Sequence, residues 1–151
     1  LFTDTLRCFK MKSWQELKSE VRSVRPDKEM AASILKMIEV RIRELAGKNK
    51  KEFASLVVED YYEIIKESIT AIMAVDGSKT LSHEALIAYL KEFYPRFSED
   101  EIALADNLRK LRHKIAYEGF SIPEDFLGRN EPAIKKLVAE LVDFLKEKLK
   151  K

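Results

Sequence analysis

Apolar positions recur along this chain at spacings of three and four, in stretches separated by glycines, prolines and helix-capping residues. No stretch alternates with a period of two for long enough to predict a strand. Ser13 with Glu16 reads as a capping box for a short first helix ending near Arg25. Pro26 suits the first turn of a second helix, with Ile34, Met37, Ile38, Ile42 and Leu45 at helical spacing and Gly47 as its stop. A third, longer stripe runs from Phe53, Leu56 and Val57 through Tyr61 and Ile65 to Met73, ending at Asp76 and Gly77. Ser82 caps a fourth helix over 86–93, which stops before Pro95. Ser98 and Glu101 form a second capping box, opening a fifth helix that ends around Gly119. After a brief turn over 121–124, Asn130 is expected to cap the last helix, with Ile134, Leu137, Leu141, Phe144 and Leu145 on one side. The linkers are short. The expected architecture is therefore all-α: an antiparallel up-and-down bundle of five to six helices, forming one domain over 13–151.

Composition narrows the partners more than the fold. The chain has 151 residues and is 46% hydrophobic, enough for one core. Charged residues reach 36%, yet 28 basic against 26 acidic side chains leave a net charge of only +2. A long-range positive field is therefore weak, and any contact with nucleic acid would rest on a local patch. The basic tail over 146–151 reads as a solvated helix end that suits the helix dipole. Cys8, the single cysteine, excludes an intramolecular disulfide framework and fits a reducing cytoplasm. One glutamine among many lysines and glutamates leans towards a thermophilic source. No apolar run approaches a membrane span, so no membrane partner is expected. Met11-Lys12-Ser13 reads like a natural start, which makes residues 1–12 an expected N-terminal extension.

Most site chemistries lack their residues. The four glycines are too dispersed for a phosphate loop, and one cysteine with two distant histidines cannot build a zinc site. Neither His83 nor His113 stands three residues after a glutamate, as a di-iron bundle requires. No metal and no cofactor are expected. The stretch from Asp106 to Gly119 carries more. On a helix of about 3.6 residues per turn, Leu104, Leu108, Leu111 and Ile115 form a core stripe, with Arg112 at its edge. Arg109, His113 and Tyr117 fall at successive i, i+4 positions and make one row beside it. Two guanidiniums, an imidazole and a phenol on one side of a helix end can bind a phosphate, stack a base and share a proton. A solvated outer face is the plainer reading of the same residues.

Leu108-Arg109-Lys110-Leu111-Arg112-His113-Lys114-Ile115-Ala116-Tyr117-Glu118-Gly119 resembles the signature helix of the HEPN superfamily, Leu-Arg-x-x-Arg-Asn-x-x-Ala-His-x-Gly. The run from Asp76 to Ala85 is similar to that of small archaeal members. The resemblance implies a helical bundle that forms a homodimer. It further implies either a metal-independent ribonuclease with Arg and His at the dimer cleft, or a partner of a small nucleotidyltransferase in a toxin–antitoxin pair. Two positions depart from the pattern. His113 stands where Asn is usual, and Tyr117 stands where the catalytic histidine is expected. A phenol with a pKa near about 10 is a poor base at neutral pH. The resemblance therefore implies nucleotide or RNA phosphate binding through Arg109, Arg112, His113 and Tyr117, without cleavage. An active ribonuclease using His113 and Arg112 across a dimer is the alternative, and a purely structural helical interaction protein is the third reading.

Asp60 lies among Leu56, Val57, Tyr61 and Ile64 on the third helix, where an unpaired carboxylate would be costly. It is expected to form a structural ion pair, with Arg112 or Arg109 as natural partner; a water-facing Asp is the plain alternative. His83, in the first turn of the fourth helix, is read as structural or solvent-facing.

Overall fold

The computed structural model describes residues 11–151. Cys8 and residues 1–10 of the expected extension lie outside the described residues. The chain is an all-α bundle, with six α-helices among the described residues. These are α1 (Trp14–Leu17), α2 (Lys28–Ala46), α3 (Ala54–Asp76), α4 (His83–Phe93), α5 (Glu99–Glu118) and α6 (Phe126–Lys150).

Helix ends follow local chemistry. Ser82 Oγ accepts from the Ala85 amide at 3.1 Å and so caps α4. At α5 the capping box closes both ways, Ser98 Oγ accepting from the Glu101 amide and Glu101 Oε1 accepting from the Ser98 amide. Two expectations shift. Pro26 lies ahead of α2 and not in its first turn, because Asp27 caps the helix, its carboxylate accepting from the Met30 amide at 2.9 Å. Asn130 does not cap α6 but lies inside it, donating to the Phe126 carbonyl at 2.9 Å. The helix tolerates Pro132 because the proline removes only the bond to the carbonyl of exposed Gly128, which water can satisfy.

Helix α3 is the axis of the bundle: 13 of its 23 residues are buried, and it packs on α2, α4, α5 and α6. Phe53 and Leu56, expected on its core stripe, are instead exposed. Ion pairs fix helix directions. Arg41 with Glu67 and Lys48 with Asp60 run α2 antiparallel to α3. The up-and-down alternation is interrupted once. His83 lies against Tyr62 while Tyr89 donates to Asp76 at 2.8 Å, so α4 runs in the same sense as α3. The stretch after Asp76 makes this possible. Gly77 ends α3 in the left-handed region at φ 84°, and Ser78–Lys79 then pairs antiparallel with Arg22–Ser23. This two-residue ladder is the strand the periodicity could not predict, being too short to show one. The chain thus returns along α3 before α4 begins, which sets the N-terminus of α4 beside the later turns of α5.

Candidate functional site

The long row on α5 meets the first turn of α4 in an open cleft of about 390 Å³. It is lined by Leu81, Ser82, His83 and Glu84 on one side and Arg109, Arg112, His113 and Tyr117 on the other. All four residues singled out on α5 are therefore brought to one cleft. The i, i+4 spacing brings the rings of His113 and Tyr117 together, tilted by 45° with centroids 4.7 Å apart, and Tyr117 is 71% exposed. Arg112 and Tyr117 leave the helix about 140° apart. The arginine side chain spans that angle, its Cζ lying 6.0 Å from the tyrosine ring centroid.

The two arginines differ in what already holds them. Asp106 is buried, with its Oδ1 2.8 Å from both Nε and Nη2 of Arg109 and its Oδ2 3.1 Å from Lys110 Nζ. Glu84 reaches the same guanidinium at 3.8 Å, and its Oε2 accepts from the Lys12 amide at 2.8 Å. Arg109 is thus held rigid and neutralised by these carboxylates. Among the described residues no carboxylate forms an ion pair with Arg112. It lies between the main cleft and a smaller opening lined by Lys48, Leu56, Glu59, Asp60 and Glu63. Asp60 does form an ion pair, but with Lys48 at 2.5 Å and not with Arg112 or Arg109. The cause is geometric: the antiparallel course of α2 lays the end of that helix beside Asp60.

Beneath the cleft lies Tyr62, whose phenol is pushed up by burial, with Arg109 and Arg112 acting in the opposite direction. His83 packs on that ring at 5.9 Å between centroids. Its pKa is lowered below the ordinary histidine value, first by burial and then by Lys66 and Arg112. The first turn of α4 adds backbone N–H groups without helical partners and the positive end of its dipole. Arg112, this helix end and the His113–Tyr117 rings are together suited to a phosphate carrying an aromatic base. Among the described residues, no cluster of histidine, cysteine and carboxylate side chains could hold a metal ion.

Sequence reasoning missed Asp106, Glu84 and His83 as parts of this site. For Asp106 a signal existed, since it precedes Arg109 by three and Lys110 by four on one helix. For His83 and Glu84 none did, because their approach to α5 depends on the return of the chain after Gly77. No family model, no curated protein and no solved structure matches the chain.

Proposed function

We propose that this chain is a HEPN-like helical module that binds the phosphate of a nucleotide or RNA strand between α4 and α5, without cleaving it. The observation that carries this reading is Arg112, a half-buried guanidinium that forms no ion pair with a carboxylate among the described residues, beside the exposed His113 and Tyr117 rings and a helix N-terminus. An unpaired cation in such a setting is completed by an anion. Tyr117, in the position where the resemblance expects a histidine, supports binding over catalysis, because a phenol does not take up a proton at neutral pH.

The reading includes a homodimer, or docking of a nucleotidyltransferase-type partner, over the face beside Arg112. Supporting it is the exposed apolar side chain of Leu56 on α3, which lines the smaller opening beside Arg112. A second reading, a metal-independent ribonuclease, draws support from His113 lining the same cleft as Arg112. Incubating the purified protein with mixed RNA separates the two. Binding that leaves RNA lengths unchanged and is weakened in Arg112→Ala supports the module. New fragments abolished by His113→Ala but not by Tyr117→Phe support the nuclease. Sedimentation of a monomer at micromolar concentration would remove the homodimer from either reading.

A further inference from the structure

His83 is a cleft residue whose charge state is set by its neighbours, and it sits where an anion would arrive. It opens the first turn of α4 directly after the Ser82 cap, so the positive end of that helix surrounds it. Its imidazole rests on Tyr62 and faces the cleft that Arg109, Arg112 and His113 also line. From α3, Lys66 and Glu63 act on it; from α5, Arg112 and Arg109 do. On α4 itself Glu84 follows, engaged with Arg109 and the Lys12 amide. Three cations against Glu63, together with burial, hold the imidazole towards its neutral form.

We infer that His83 is a ligand-binding residue of this cleft, and that a phosphodiester seated beside Arg112 binds with uptake of one proton by its imidazole. The inference rests on the phosphate-binding reading above. An anion in the cleft offsets the charge of Arg112 and favours the charged form of His83. The imidazolium then donates a charge-assisted hydrogen bond to a phosphate oxygen. No covalent bond forms or breaks; one proton passes from solvent to the imidazole. Because the bound state holds the proton more tightly, affinity rises as pH falls. The gain is complete below the free-state pKa and is lost as pH rises through the bound-state pKa. A phosphodiester keeps a single charge throughout that window, so the linkage belongs to the protein.

The chain has two histidines, so each imidazole signal is assignable by a single substitution. The test titrates the full chain from about pH 5 to about pH 8, with and without a short oligoribonucleotide lacking terminal phosphates. On binding, the His83 pKa is expected to rise by about one unit, with affinity improving about tenfold towards acid pH. His83→Gln flattens that profile, whereas His113→Gln lowers affinity and leaves the shift of the His83 signal on binding in place. If the RNA binds while His83 titrates unchanged, or His83→Gln keeps the full slope, the inference is overturned and the phosphate reading survives. If the RNA binds at no pH, the phosphate reading itself falls, and this inference with it.

Discussion

Asp106 is buried with two cations on its oxygens, whereas Arg112 meets no carboxylate among the described residues. The two residues should therefore separate stability from binding. Asp106→Asn leaves Arg109 and Lys110 without their shared carboxylate and is expected to cost about 3 kcal/mol. A urea midpoint unchanged by that substitution would show that both cations hydrate fully without Asp106. Arg112→Ala should cost less than about 1 kcal/mol while weakening binding. The pair formed by Lys48 and Asp60 has both side chains 25% exposed, so a double-mutant cycle should return about 0.5–1 kcal/mol. His83 gives stability a pH dependence as well. Its folded pKa lies below its unfolded value, so the unfolded chain binds the extra proton. Stability is full above about pH 6.5 and falls as pH drops towards the folded value. Thermal melts of His83→Gln should lack that acid-side loss, and an identical slope in both proteins would assign it to other groups.

At the level of elements, two glycines with similar dihedrals make opposite predictions. Gly77 has φ 84°, and a Cβ there would lie 2.9 Å from the Val24 carbonyl and 3.0 Å from Pro26 Cγ. Gly119 has φ 65° with nothing within 4 Å of its Cβ position. Gly119→Ala should cost about 1 kcal/mol from backbone conformation alone. Gly77→Ala should exceed that by about 1 kcal/mol or more, because the clash is with fixed backbone and a proline ring. Equal melting temperatures for the two variants would deny that the Gly77 turn directs α4. Helices α2 to α5 were legible because each has a cap or stop next to an apolar period, as with Ser98, Glu101 and Gly119. The start of α6 was not, since Asn130 offers the same short polar side chain inside a helix as at its cap. The α5 half of the site was legible from the spacing of Arg109, His113 and Tyr117. The α4 half was hidden, because the parallel course of α4 depends on a two-residue ladder that leaves no period. Asp60 was read as an ion-pair residue, but its partner depends on where α2 ends, which spacing on α3 cannot reveal.

Across the whole molecule, net charge is close to neutral, so the proposed affinity for RNA would have to come from a few charges at one place. That expectation makes salt dependence the most direct probe of the central claim, that Arg112 in the cleft between α4 and α5 binds phosphate. Affinity for a short single-stranded oligoribonucleotide should be measured across salt concentrations for wild type, Arg112→Ala and Arg96→Ala. Arg96 is the control, because it is paired with Glu147 on α6 and does not line the cleft. Wild type and Arg96→Ala should share one slope of log affinity against log salt. Arg112→Ala should bind more weakly, with a slope shallower by about 0.7, the share of one phosphate contact on a single strand. Equal slopes and affinities for wild type and Arg112→Ala would contradict the account.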